Sequence, residues 1–334
     1  MNTSEFEELL PGARNAVRVC LDIQPHERVT VITDEACAEI ARALIQEIAE
    51  VGARHASFVL EDIAPRPLAG LPDAVAADLE RSAVSIFAAG AQANELGARM
   101  QLTDIVNRRR MRHAHMVNIT PRIMREGMRA DYLAVDRLST RVFDRVRRAR
   151  TIRATTPAGS DIRATLDPAL RWIKTSGLIS PEKWGNLPGG EVFTAPGEVN
   201  GTFVIDGVVG DWLCERYGSL NETPLEITVE GNRLVDATSE NRRLRDDFWK
   251  YTHTDDNSDR VGEFAIGTNV GLTSVIGSIL QDEKFPGVHI AFGNPYGAHT
   301  GATWWSSTHI DVVGTNFDIW VDDEKIMENG RFLI

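Results

Sequence analysis

The sequence predicts an α/β protein in two parts: a parallel sheet covered by helices over residues 1–150, and a larger, mainly-β α+β domain over residues 151–334. Three observations predict it. Up to about residue 150, short β-branched runs alternate with helix-length stretches. Beyond that point, Val/Ile/Phe/Thr runs are separated by turn signals such as Asp206-Gly207, Glu230-Gly231-Asn232 and Asn329-Gly330. A chain of 334 residues, 43% hydrophobic and 25% charged, also suits two ordinary cores better than one.

The first strand reads as Glu27–Thr33, followed by an Ala/Ile/Leu/Glu helix over residues 35–51 that Gly52 stops. Further strands are expected at His55–Leu60, Ala83–Ala88 and His113–Ile119, each a helix-length interval apart. After the first strand comes Thr33-Asp34-Glu35-Ala36 rather than a glycine-rich loop, so neither a dinucleotide fingerprint nor a P-loop is present. The basic runs Arg108–Arg112 and Arg141–Arg153 read as solvated helix faces, with a subunit interface or a pocket for a substrate carboxylate as the other reading. In the second part, Thr151–Thr156 and Ile162–Leu166 form a hairpin about Pro157-Ala158-Gly159-Ser160-Asp161, and helical insertions are expected near residues 237–251 and 270–281.

Composition narrows the function. A net charge of −12 argues against affinity for nucleic-acid phosphates. No apolar run approaches the roughly 18 residues of a membrane span, and the opening MNTSEFEELLPGARNAV lacks a basic start followed by an apolar stretch, so a cytoplasmic protein without a membrane partner is expected. Cys20, Cys37 and Cys214 are odd in number and far apart, which supports neither a disulfide framework nor a thiolate metal site.

The chemistry gathers in the second half. In Thr308-His309-Ile310-Asp311-Val312-Val313 a strand's period of two puts His309 and Asp311 on one face and turns Ile310 and Val312 into the core. His289 is likewise set into the apolar run Val288–Gly293, where each ring nitrogen needs a partner: an ordinary core histidine finds it in the protein, a ligand finds it in a metal. Glu191 and Glu263 each follow a glycine and precede apolar residues, and a carboxylate buried in such a context must be paired or bound to a cation. Two histidines and three carboxylates form a mixed nitrogen and oxygen donor set, suited to zinc, cobalt, manganese or iron in a catalytic role. The charges of Glu191, Glu263 and Asp311, with a hydroxide, balance two divalent ions better than one.

Four ordered segments resemble the metallopeptidase family that includes aminopeptidase T and aminopeptidase S: Asn186–Pro196 with Gly201-Thr202 after it, Gly262–Asn269, Asp282-Glu283-Lys284 leading to His289–Gly293, and His309-Ile310-Asp311. The resemblance implies a homodimeric metal-dependent hydrolase that removes N-terminal residues from peptides or cleaves a specialised small amide. It implies that Glu191, Glu263, His289, His309 and Asp311 ligate a two-metal centre, that Tyr296 is the active-site tyrosine, and that Glu263 doubles as a proton shuttle. Glu283 reads as a nearby acid or as part of a solvated turn. Gly189-Gly190 stands where the peptidases more usually carry Thr-Glu, and the segment between His289 and His309, with Trp304-Trp305 in it, is compressed, so substrate choice is expected to differ. The other reading is a mononuclear iron(II) ring-cleaving enzyme similar to 2,5-dihydroxypyridine 5,6-dioxygenase, with His289, His309 and Asp311 as a facial triad. Glu263, where that branch is expected to carry histidine, favours hydrolysis.

Overall fold

The computed structural model describes residues 3–334, and the chain divides into two compact units. One comprises the chain up to Leu133 together with Gly177–Gly189; the other comprises Ala134–Ser176 and Gly190–Ile334.

The first unit is a five-stranded sheet in the order Arg54–Val59, Arg28–Thr33, Val84–Ala88, Arg112–His115, Gly185–Asn186, with every neighbouring pair parallel. Its central strand Val84–Ala88 is buried along its whole length, as a strand covered on both faces must be. The helix Ala38–Val51 ends at Gly52, which takes the left-handed conformation (φ +84°) that a glycine adopts without a Cβ penalty. The strand expected over His113–Ile119 stops at His115, because the chain turns through Asn118 (φ +58°) and Thr120 caps the helix Pro121–Arg125. Arg108 and Arg110 lie exposed and pair with Glu80 and Glu182, whereas Arg112, at the start of the strand Arg112–His115, is largely covered and pairs with Glu27. All three cysteines are buried and free, and no helix among the described residues is long and apolar enough to cross a membrane.

The second unit pairs an eight-stranded and a five-stranded sheet, both antiparallel throughout. The expected hairpin is present as Thr151–Thr155 with Asp161–Thr165. The five-stranded sheet runs in the order His309–Val313, Gly287–Gly293, Val261–Gly267, Glu191–Thr194, Ile173–Thr175. Its alternate residues Val192, Phe264, Ile266, Val288, Ile290, Phe292, Ile310 and Val312 enter one apolar cluster with Ile152, Ile162, Phe203 and Ile205 of the larger sheet. The helix expected near 237–251 forms only over Arg242–Tyr251, where the Asn241 side chain caps Leu244 N–H. That expected over 270–281 is mostly turn and closes with the single helical turn Ile279–Asp282. Two glycines and three hydroxyl residues interrupt that stretch, and the Asp282 carboxylate holds it open by accepting from the backbone N–H of Ile276, Gly277 and Ser278.

One irregularity decides which side chains share a face. The pairing of Val261–Gly267 with Gly287–Gly293 slips by one residue between Val261 and Glu263, so Val261 pairs with Phe292 and Glu263 with Ala291. Gly262 is the extra residue of this bulge, and a Cβ there would meet Gly293 O at 2.4 Å. Val261 therefore joins the core while Glu263, two residues on, points from the opposite face.

In the parallel sheet, two histidines are buried side by side. His113 Nδ1 lies 2.8 Å from Ser85 Oγ, and its Nε2 lies 3.2 Å from His115 Nδ1. His115 also stacks on Phe87, and Trp184 packs against both imidazoles. Burial drives both rings toward the neutral form: His113 falls well below the usual range, with His115 adding to the effect, and His115 falls to about 4, with Arg99 adding to it. Below the unfolded value of about 6.5 the unfolded chain takes up protons that the fold refuses, so stability is expected to fall as the pH drops from there to about 4. Denaturant titrations across that window should show wild type losing up to about 3 kcal/mol more than His115→Asn, which has no such proton to refuse; parallel pH profiles of the two proteins would refute this.

Candidate metal centre

The face of the five-stranded sheet turned away from the apolar cluster is where the predicted ligands meet. Across the strands, Gly267 stands opposite Glu191, Ala265 opposite both Phe193 and His289, Ala291 opposite both Glu263 and Asp311, and Gly293 opposite His309. Residues directly opposite on neighbouring strands share a face, so all five donors project from the face that the core does not use. Their neighbours on that face include Ala265, Ala291 and Gly293, small enough to leave room between the donors. Glu191 is aimed by Gly190 (φ +126°), where a Cβ would meet that of Asn269 at 2.7 Å.

The donors fall into two trios that share one residue, Glu191–Glu263–His289 and Glu263–His309–Asp311, the ligand atoms of each lying within 4.8 Å of one another. His289 Nε2 is 3.5 Å from Glu191 Oε2 and 3.4 Å from Glu263 Oε1. His309 Nε2 is 3.8 Å from Glu263 Oε2 and 3.4 Å from Asp311 Oδ1. Glu263 thus turns a different oxygen to each histidine. Spacings of this size are what donors about 2.0–2.2 Å from one ion show toward each other. Two further observations fit a metal: His289 Nε2 is fully buried without a hydrogen-bond partner, and His309 Nδ1 lies 2.8 Å from Asn294 O, an atom that can only accept. His309 therefore carries a proton on Nδ1 and presents Nε2 to the carboxylates, the orientation that ligating imidazoles adopt.

The electrostatics ask for cations. The five side chains are between 2% and 17% exposed, and three of them are carboxylates. Burial, reinforced by the charges of Glu191 and Asp311, pushes Glu263 up. Burial works against a charge on either histidine, yet the surrounding carboxylates lift His289 above its usual range and His309 to about 10. Asp311, despite burial, is held down to about 2 by His309. Protons drawn onto the imidazoles here do the neutralising that a bound cation would do.

Residues that the sequence reading did not place in the centre also reach it. Lys284, with only 2% of its side chain exposed, puts its ammonium 2.7 Å from Glu191 Oε1 and 2.5 Å from Glu283 Oε1. Thr175 donates to the same Glu191 oxygen at 2.8 Å. Glu283 is no part of a solvated turn: its side chain is 13% exposed, and burial, with Asp311 and Glu191 adding to it, raises its carboxyl to about 8 against the pull of Lys284. Tyr296 borders the centre, its ring 4.4 Å from that of His309 and edge-on to Phe193. Burial lifts its phenol well above the usual range although 43% of the residue's surface is exposed, and the charges of Asp311 and Glu263 add to the lift. Of the tryptophan pair, Trp304 lies under the Arg260 guanidinium, 3.7 Å away, whereas Trp305 is 67% exposed.

Because Glu263 belongs to both trios, Glu263→Gln is expected to weaken binding of every ion, by about 100-fold or more, as loss of a charged donor does. Metal content after dialysis against buffered cobalt(II) reads this directly, and occupancy equal to wild type would remove Glu263 from the ligand set.

Comparison with known proteins agrees with the geometry. No curated protein matches the sequence. Among solved structures, the chain is similar to a 2,5-dihydroxypyridine dioxygenase from Pseudomonas putida KT2440, at 15% identity and a TM-score of 0.71, over 98% of this chain and 97% of that one. It is also similar to wild-type AmpT from Thermus thermophilus, at 18% identity and a TM-score of 0.67, over 98% of this chain and 99% of that one. Both likenesses bear out the α/β class with its larger antiparallel part. Residues 137–332, more than half of the chain and including every candidate ligand, match the model of the thermophilic metalloprotease (M29) family, and the protein belongs to that family.

Proposed function

We propose that the protein is an aminopeptidase-type hydrolase working on peptides with a free N-terminus, in which Glu191, Glu263, His289, His309 and Asp311 hold two divalent ions such as zinc, cobalt or manganese. The observation that carries this reading is the sharing of Glu263, whose two oxygens face two different histidines, each within its own trio of donors. Metals held there would polarise the scissile carbonyl and make a water acidic enough to attack at neutral pH.

The remaining steps belong to the chain itself. Since each oxygen of Glu263 faces a histidine and would serve a metal there, proton transfer falls to Glu283, whose buried carboxyl is raised to about 8 and faces the same cluster of charges. Glu283 takes the proton released as water attacks and returns it to the leaving amine. Tyr296 keeps its proton, held on by desolvation and by Asp311 and Glu263, and its phenol donates to the oxygen that becomes negative as the carbonyl turns tetrahedral. Lys284 and Thr175 hold Glu191 so that Oε2 stays turned to His289.

The test is a panel of peptides with free and acetylated N-termini. Hydrolysis is expected only of the free ones, lost on chelation, restored by divalent metal, and unchanged without oxygen. An activity that needs oxygen and ferrous iron, the chemistry of the similar dioxygenase, would overturn the reading. Glu283→Gln is expected to lower kcat by about 100-fold or more while metal content stays at the wild-type level; an unaltered kcat would take the proton role away from Glu283.

A further inference from the structure

We propose that Lys284 is a built-in cation that makes the two halves of the centre unequal, so that a divalent metal fills the Glu263–His309–Asp311 half first and the Glu191–Glu263–His289 half only at higher concentration. This rests on the two-metal reading and adds an order of loading to it.

The asymmetry is on the side chains. In the Glu191 half, one carboxylate oxygen is already committed: Glu191 Oε1 accepts from Lys284 Nζ at 2.7 Å and from Thr175 Oγ1 at 2.8 Å, leaving Oε2 to face His289. The ammonium is almost wholly buried, and its second partner, Glu283 Oε1 at 2.5 Å, fixes it in place. In the other half, Asp311 and Glu263 form ion pairs with histidine alone among the described residues, with no lysine or arginine bonded to either. His309 is also oriented for ligation by the Asn294 carbonyl.

A divalent ion approaching Glu191 therefore meets a fixed positive charge one carboxylate away, in surroundings where water screens little. It must also share Glu191 with an ammonium that already draws on its electron density. An ion approaching Asp311 finds no ammonium or guanidinium bonded to either carboxylate of its half.

The experiment is a calorimetric titration of cobalt(II) into full-length protein stripped by chelator and desalted, followed in parallel by the visible absorption of the bound ion. Two steps are expected, with dissociation constants at least about tenfold apart. Asp311→Asn should remove the tight step and Glu191→Gln the weak one. Lys284→Met, with its melting temperature as the control for folding, should close most of the gap, and Lys284→Arg, which keeps the charge, should preserve it. Two equivalent ions in wild type would refute the inference and leave the two-metal reading standing, as would loss of the tight step in Glu191→Gln. Failure to bind cobalt at all would sink both. Should Lys284→Met not fold, the two ligand variants still decide the order.

Discussion

Negative charge crowded onto a dry sheet face is the constraint around which the larger unit is organised. Glu191, Glu263 and Asp311 are buried together, and carboxylates in such surroundings repel one another unless cations or hydrogen-bond donors are supplied. The structure supplies several. Lys284 and Thr175 serve Glu191, and two imidazoles stand between the carboxylates. The alanines and glycine between the donors have the same origin, because larger side chains there would fill the volume in which the charges must be compensated. An arrangement so costly to a bare fold is found where it serves chemistry.

Part of this was legible from residue order alone. A period of two needs nothing but the strand itself, and so Thr308–Val313 announced that His309 and Asp311 share a face while Ile310 and Val312 enter the core. The same holds for the buried strand Val84–Ala88 and for Gly52 as a helix stop. What residue order could not convey was register. That Ala291 separates Glu263 from Asp311, and that Glu263 turns one oxygen to each histidine, depends on pairing between strands tens of residues apart. Lys284 was hidden for a related reason: within Asp282-Glu283-Lys284 it looks like a solvated charge, and only the descent of the chain into the strand Gly287–Gly293 carries it inside. Thr175 and the Asn294 carbonyl carry no local signature at all.

The segment 270–281 shows the opposite error. Its apolar residues sit at spacings that a helix would accept, yet glycines and hydroxyl residues leave the backbone free to hydrogen-bond elsewhere, and the Asp282 carboxylate collects three of its N–H groups. One buried acid outweighs a weak propensity when it offers several partners at once. Glu283 and Lys284 follow directly on that acid, and both reach the centre.

The register of the strand Val261–Gly267 also governs how this site can change over time. Substitutions alter one side chain and leave the two faces of the sheet as they are. Removing Gly262 would do the same, since Val261 would stay opposite Phe292 and Glu263 opposite Ala291; removing Ala265 from the regularly paired stretch beyond the bulge, with Ile266 anchored in the core, would make the residues before it exchange faces. A three-nucleotide deletion there would turn Phe264 toward the donors and Glu263 toward the apolar cluster in a single event. For a lineage carrying this centre, the length of that strand is inherited information as binding as the identity of any ligand.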